Sequence, residues 1–249
     1  MNILGVIPAR YESSRFPGKP LALINGKTMI QRVYEQVKKT SKITDVIIAT
    51  DDKRIMENVS SFGGKAMLTS TTHLNGTSRC YEVFEKTNLQ KPEYYDAVVN
   101  IQGDEPFIEP EQINQVCDLL INKKAGIATL AKKIENVEDL FNPNTVKTVF
   151  GTTGSALYFS RSPIPFLRTY EKNDWLNHAN YYKHIGIYGF TKSTLQEIVL
   201  MKPSKLEVAE SLEQLRWLEN GIQITIDVTD FESIGIDTPE DLEKLINNI

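Results

Sequence analysis

The sequence predicts an α/β fold, doubly wound around a mostly parallel sheet. Three observations carry this reading. Short apolar runs and amphipathic stretches follow one another in repeated β-then-α order. The first run, Ile3 to Ile7, breaks at Pro8 into a loop rich in cations, and the acidic residues Asp104 and Asp237 each follow an apolar run, where ligands gather in such sheets.

Taken in order, residues 3–7 read as a buried strand ended by Pro8. Residues 28–39 carry Met29, Ile30, Val33 and Val37 at helical spacing, and 45–49 form the next strand, completing a βαβ start. Residues 52–62 read as a helix, 65–68 as a short strand and 78–87 as a helix. Residues 95–101 are the strongest apolar strand, running into Gln102-Gly103-Asp104-Glu105-Pro106. The stretch 126–159 is richer in strands, at 128–131, 146–149 and 156–159. With the loop that follows, to residue 182, it reads as an inserted subdomain. Residues 170–182 form a polar, aromatic loop without helical pattern, of the kind that covers a site or joins subunits. Strand 185–190, helices 192–201 and 209–220, strand 223–228 and a helix from Pro239 return the chain to α/β order.

The N-terminal loop, Pro8-Ala9-Arg10-Tyr11-Glu12-Ser13-Ser14-Arg15-Phe16-Pro17-Gly18-Lys19-Pro20, offers three cations, two hydroxyls and open backbone N–H groups. A nucleoside triphosphate is met by such a set: guanidinium forks, a lysine point charge and amides at a strand's carboxyl end. Neither G-x-x-x-x-G-K-[ST] nor G-x-G-x-x-G after the first strand is present, so the P-loop and the dinucleotide fingerprint are excluded. The alternative is a solvated basic loop.

Asp104 and Asp237 on separate strand ends could clamp one Mg²⁺ between phosphates and a second substrate. Each has a plainer reading. Asp104 before its turn suits a turn-forming Asp, and Asp237-Thr238-Pro239-Glu240-Asp241 suits a helix start with Thr238 as N-cap and Pro239 at N1.

Composition narrows the class. The chain has 249 residues, 41% hydrophobic and 24% charged, enough for a sizeable globular core. A net charge of −4 argues against a nucleic-acid binder, because positive charge here is local. Cys80 and Cys117 stand far apart without a nearby His, so neither a zinc site nor a disulfide framework is indicated. No stretch approaches the ~20 apolar residues of a membrane span, and a cytoplasmic protein is expected.

Several ordered motifs then carry a resemblance. They are Ile7-Pro8-Ala9-Arg10-x-x-Ser13-x-Arg15-x-Pro17-Gly18-Lys19-Pro20-Leu21, Ala49-Thr50-Asp51-Asp52, Asn75-Gly76-Thr77-Ser78-Arg79 and Asn100 through Pro106. Later come Phe159-Ser160-Arg161-x-x-Ile164-Pro165, Lys183-His184-Ile185-Gly186, Leu212-Glu213-Gln214-Leu215-Arg216 and the run from Val228 through Leu242. Together they span nearly the whole chain, which resembles the 3-deoxy-D-manno-octulosonate (Kdo) cytidylyltransferases.

The resemblance implies a single nucleotidyltransferase domain over 1–249, of nucleotide-diphospho-sugar transferase type, in which the β-rich stretch 126–182 contributes to a homodimer interface. It implies transfer of CMP from CTP to the anomeric hydroxyl of Kdo, with release of pyrophosphate, for lipopolysaccharide synthesis. Arg10, Lys19, Asp104 and Asp237 would be catalytic, and Asp104 and Asp237 would hold Mg²⁺. Pro8, Ala9, Arg10, Ser13, Arg15 and Lys19 would bind the triphosphate, with Thr77 and Arg79 near the base. Gln102, Arg161, His184, Glu213 and Gln214 would hold the sugar, a guanidinium suiting its carboxylate.

Alternatives stand beside these roles. His184 also reads as a core histidine, Arg161 as a surface ion-pair partner and Glu213-Gln214 as a solvated helix face. One position departs from the family pattern. Ser-Gly-Thr-Asp-Arg is replaced by Asn75-Gly76-Thr77-Ser78-Arg79, with Ser78 expected to cap the helix it opens. Loss of that carboxylate leaves the acceptor open between Kdo, an 8-amino Kdo and another acidic sugar. The Gly-Ser-Lys loop of sialate-type synthetases is absent. A non-catalytic nucleotide binder would have no need of Lys19, Asp104 and Asp237 together.

Overall fold

The opening apolar run forms β1 (Ile3–Ala9), with Ile3, Leu4, Val6 and Ile7 wholly buried. In this computed structural model, which describes residues 1–13, 15–232 and 234–246, the chain divides into two units. One comprises Met1–Cys117 with the segment from Glu232 onward, the other Asp118–Phe231. Ser14 and Ser233, which fall within motifs quoted above, lie outside the described residues.

In the first unit a small hairpin, β2 (Leu23–Ile24) and β3 (Lys27–Thr28), leads into α1 (Met29–Lys38). Thr28 caps that helix, its Oγ1 accepting the Gln31 N–H at 3.4 Å. Then follow β4 (Asp45–Thr50), α2 (Lys53–Ser61), β5 (Ala66–Leu68), α3 (Gly76–Gln90), β6 (Ala97–Asn100) and α4 (Pro110–Asn122), in which the division between units falls. The strands lie in the order β6-β1-β4-β5, all parallel. A Cβ built on Gly5 would meet Val37 of α1, whereas Pro8, of opposite parity on β1, lies against Gly76 at the start of α3. The two helices therefore cover opposite faces, as the doubly wound expectation requires.

The second unit contains β7 (Ile127–Lys133), α5 (Val137–Phe141), β8 (Lys147–Phe150), β9 (Ala156–Ser160), α6 (Trp175–His178) and β10 (Tyr182–Thr191). After them come α7 (Lys192–Ile198), α8 (Lys205–Glu210), α9 (Gln214–Glu219) and β11 (Ile224–Val228). Strand β7 runs parallel to β11 and antiparallel to β10; β8 is antiparallel to β10 and β9.

The chain returns to the first unit to end in α10 (Pro239–Ile246). Ahead of it, Ile236 is wholly buried with Ile24 and Met29, and Phe16, Phe107, Leu242 and Leu245 pack around them. Burying such a side chain is worth about 2 kcal/mol, enough to hold the terminal segment in place.

Four expectations need correction, and one helix is added. Pro8 does not end the first strand: pairing with β4 continues through Pro8 and Ala9. Helix α3 begins before Ser78: Asn75 is its cap, its side-chain oxygen accepting the Ser78 N–H at 2.9 Å. Residues 170–182 contain a 3-10 turn, Lys172–Asp174, and then α6, because Trp175 is drawn into a cluster with Ile134, Leu140 and Tyr181. The helix expected over 209–220 is two, since Ser204 and Glu207 form a capping box and Ser211 turns left-handed at φ 53°. Helix α4 was not anticipated, although Ile113, Val116, Cys117 and Leu120 have helical spacing and are wholly buried.

Candidate active site

The site is built where the parallel strands of the first unit end. Beyond β1 the loop closes on itself: Gly18 donates its N–H to the Tyr11 carbonyl at 2.8 Å and sits at φ +73°, a conformation glycine adopts without strain. The turn that follows, Lys19–Leu21, then fixes the backbone of Lys19. Beyond β6, a Cβ on Gly103 would lie 2.5 Å from the Pro8 carbonyl oxygen, so only glycine lets this loop lie against the end of β1 and present Asp104 there.

Asp237 reaches the same place from the far end of the chain. The backbone N–H of Ile236 donates to the Asp104 carbonyl at 3.0 Å. The helix-start reading of Asp237 also holds: Thr238 Oγ1 accepts from the Asp241 N–H at 3.2 Å, and the Asp241 carboxylate accepts from Asp237 and Thr238. Burial tends to raise the Asp241 carboxyl, but these hydrogen bonds outweigh it and hold it below the ordinary value. Asp241 organises the turn, and the Asp237 carboxylate is left to face cations.

Those cations are Lys19 and Arg15. Lys19 Nζ lies 2.6 Å from Asp104 Oδ2 and 3.3 Å from Asp237 Oδ1, and Arg15 Nη2 lies 3.1 Å from Asp237 Oδ2. A cavity of about 440 Å³ opens beside them, within the range of small-ligand sites. Pro8, Ala9, Arg10, Ser13, Arg15 and Lys19 line it, as do Gln102, Asp104 and Arg79.

Arg79 is tied down inside this wall. It is only 1% exposed, donating from Nη2 to Asp51 Oδ2 at 2.7 Å and from Nη1 to Thr69 Oγ1 at 2.6 Å. Asp51 also faces Arg10, whose Nε is 3.9 Å away, so one carboxylate organises two cations of the cavity. Thr77 is buried in the first turn of α3 and is not among the lining residues. Ser78 Oγ lies 3.1 Å from His73 Nδ1, and His73 Nε2 closely approaches Glu82. Burial raises the Glu82 carboxyl, yet hydrogen bonds from Lys86, His73 and the Ser70 N–H outweigh it and bring it to about 2. A carboxylate thus sits one helical turn beyond Ser78.

The remaining sugar-side candidates belong to the second unit. His184 is packed edge-on against Phe159 and beside Tyr188, with Nε2 3.0 Å from Thr129 Oγ1. The Thr129 hydroxyl spends its hydrogen on the Ile187 carbonyl at 2.7 Å, so His184 is the donor and carries its proton on Nε2. Burial lowers the imidazole to about 3, so the ring is neutral. Gln214 is buried at the start of α9, and Glu213 beside it takes a bond from Arg216 Nη2 at 3.3 Å. Arg161 is largely occupied: its guanidinium donates to the carbonyls of Glu210, Pro143 and Ser211.

The sequence reading missed Tyr188. Its hydroxyl is buried without a hydrogen-bond partner among the described residues, and burial together with the nearby Glu213 charge pushes the phenol well up. The signal was present in the chain as a tyrosine following His184 on one strand. It was masked because an aromatic in a buried strand reads as core.

The donor set suits a divalent cation. Asp104 and Asp237 supply hard oxygens to one point that a positive group already bridges. Among the described residues no group of three or more His, Cys, Asp or Glu is placed to hold a metal ion.

This is the arrangement of a nucleotidyltransferase: a cationic strand-end loop facing a carboxylate pair. Residues 4–226 match the family described as cytidylyltransferase. The chain is 54% identical to a 3-deoxy-manno-octulosonate cytidylyltransferase of Cytophaga hutchinsonii, covering 98% of this chain and 96% of that one. It is 52% identical to the enzyme of the same name from Parabacteroides distasonis, covering 99% and 97%. A solved structure of CMP:2-keto-3-deoxy-manno-octonic acid synthetase complexed with CTP superposes with a TM-score of 0.91 at 41% identity, covering 100% of this chain and 98% of that one. The chain belongs to the family of 3-deoxy-manno-octulosonate cytidylyltransferases. A 4-diphosphocytidyl-2C-methyl-D-erythritol synthase from Anaerococcus prevotii, 16% identical with a TM-score of 0.61, shares the fold alone.

Proposed function

We propose that this protein transfers CMP from CTP to the anomeric hydroxyl of Kdo, releasing pyrophosphate, and so supplies an activated sugar for lipopolysaccharide. The observation that carries the reading is Lys19 bridging Asp104 and Asp237 at the edge of a cavity lined by Arg10, Ser13 and Arg15. Relatives named for this reaction, at 54% and 52% identity over nearly the full chain, support it.

In the reaction the anomeric oxygen attacks the α-phosphorus in line with the departing pyrophosphate, so the protein's work is alignment and charge neutralisation. Arg10, Ser13 and Arg15 would hold the phosphates, and Lys19 would meet the charge that builds on the leaving pyrophosphate. Asp104 and Asp237 would hold Mg²⁺, which when bound neutralises phosphate charge and lowers the pKa of the attacking hydroxyl. Gln102, His184, Glu213 and Gln214 would fix the sugar hydroxyls. With the proton on Nε2 spent on Thr129, His184 would do so as a neutral acceptor through Nδ1, and the unpartnered Tyr188 hydroxyl would join them. The Arg161 guanidinium, spent largely on backbone carbonyls, would act mainly by positioning the loop after β9. The enzyme would work in the cytoplasm as a homodimer; among the described residues no helix is long and apolar enough to cross a membrane.

The test is pyrophosphate release with CTP and Mg²⁺ against Kdo, its 8-amino-8-deoxy analogue, a sialic acid and no sugar. Release with Kdo is expected. Release only with the amino sugar would move the specificity and leave the chemistry, and release with none would overturn the reading.

A further inference from the structure

We infer that Lys19 is a built-in stand-in for the metal: without nucleotide its ammonium occupies the gap between Asp104 and Asp237, and a divalent cation enters only after a triphosphate draws it away. This rests on the reading of the cavity as a triphosphate site.

The geometry is specific. Lys19 Nζ is 2.6 Å from Asp104 Oδ2 and 3.3 Å from Asp237 Oδ1. The remaining Asp237 oxygen is taken by Arg15 at 3.1 Å. Two positive and two negative side chains sum to zero, so a dication arriving alone meets no net attraction and must displace an ammonium of like sign.

Lys19 is also the enclosed member of the group. Its side chain is 15% exposed against 64% for Arg15, so its ammonium is held mainly by the two carboxylates and less by water. A triphosphate in the adjoining cavity changes the balance by supplying several negative charges. The Lys19 backbone is held by a bond from its N–H to the Phe16 carbonyl at 3.2 Å and by one from the Ala22 N–H to its carbonyl at 3.1 Å. The flexible four-carbon stem can therefore swing from carboxylates to phosphate with no backbone movement. Once it has swung, two carboxylates are left facing each other and the dication completes the set. Metal and nucleotide then raise each other's affinity by one common factor, as linkage demands.

The experiment titrates the nucleotide-free, full-length protein with Mn²⁺ alone, read by electron paramagnetic resonance of free Mn²⁺. The proteins compared are wild type, Lys19→Met and Lys19→Met with Asp104→Asn. Lys19→Met should bind one Mn²⁺ about tenfold or more tightly than wild type, the size of a typical coupling between sites, and the added Asp104→Asn should abolish the gain. Circular dichroism checks folding, and Lys19→Gln replaces Lys19→Met if the latter does not fold. Equal affinity in wild type and the Lys19 variant, or a gain that survives Asp104→Asn, would overturn the inference. Wild-type pyrophosphate release from CTP and Kdo, run alongside, reports separately on the underlying reading.

Discussion

Ile236 donates its backbone N–H to the carbonyl of Asp104 at 3.0 Å, and this single bond sets Asp237 beside Asp104 although they come from distant parts of the chain. The side chain of Ile236 anchors the bond from below, wholly buried against Ile24 and Met29. Position and stability are therefore coupled at this residue. Ile236→Ala should cost about 2–5 kcal/mol in urea unfolding and lower kcat, whereas Ile236→Val should cost about 1 kcal/mol. Unchanged kcat in a destabilised Ile236→Ala would show that Asp237 needs no such anchor.

Asp104→Asn removes half of the negative charge that Lys19 bridges while keeping the shape of the side chain. Turnover should fall by about a hundredfold or more, with CTP affinity largely retained, because the loss falls on the charge clamp and not on the phosphate loop. Steady-state kinetics beside calorimetric CTP binding separates the two. A normal rate would remove Asp104 from the mechanism.

Arg79 divides a structural role from a ligand-binding one. Its guanidinium is buried on Asp51 and Thr69, so Arg79→Met should destabilise the fold by about 2–4 kcal/mol, leaving Asp51 with only the more distant Arg10. Chemical denaturation reads this directly. An unchanged stability with collapsed CTP affinity would make Arg79 a nucleotide contact instead.

His184 gives a pH signature. Its folded pKa of about 3 lies below the ordinary value near 6.5, so the unfolded chain binds the extra proton between these limits. The neutral ring's full stability is present above about pH 6.5 and is eroded as pH falls below it, with a limiting slope near 1.4 kcal/mol per pH unit for one proton. Between about pH 6.5 and 5.5, above the range where carboxylates of the unfolded chain take up protons, His184→Gln should flatten the unfolding profile. An identical slope in the variant would show that His184 is not desolvated.

Tyr188→Phe deletes a buried hydroxyl that has no partner among the described residues. A structural tyrosine would lose stability on this change, but here stability should be equal or slightly higher. The KM for Kdo should rise severalfold with that for CTP unchanged. No change in either constant would leave the hydroxyl without a role in sugar binding.

Most strands and helices of the first unit were legible because each has one clear period, and α1 and α2 also carry start signals in Thr28 and Asp52. The cationic loop after β1 was legible because its charges lie within one short segment. What could not be read depends on tertiary partners. Trp175 turns an apparently polar loop helical only because Ile134, Leu140 and Tyr181 receive it. Arg161 reads as a carboxylate binder or a surface ion-pair partner, and only the fold shows its guanidinium donating to the carbonyls of Glu210, Pro143 and Ser211. Ser78 looks like a cap in isolation, and only the bond from its N–H to Asn75 shows that the helix began earlier.

The return of the terminal segment to the first unit also dictates when the enzyme comes into being. A ribosome delivers the cationic loop almost at once, yet the second carboxylate leaves the exit tunnel only after the whole second unit has been made. Until then Ile24 and Met29 lack the apolar cover that Ile236 provides. A nascent or prematurely terminated chain ending before Ile236 would hold the phosphate-facing half of the machinery without the other, and would show proteases an open hydrophobic seam. Closure of that seam and arrival of Asp237 beside Asp104 thus both wait for the same short segment, Ile236 with Asp237.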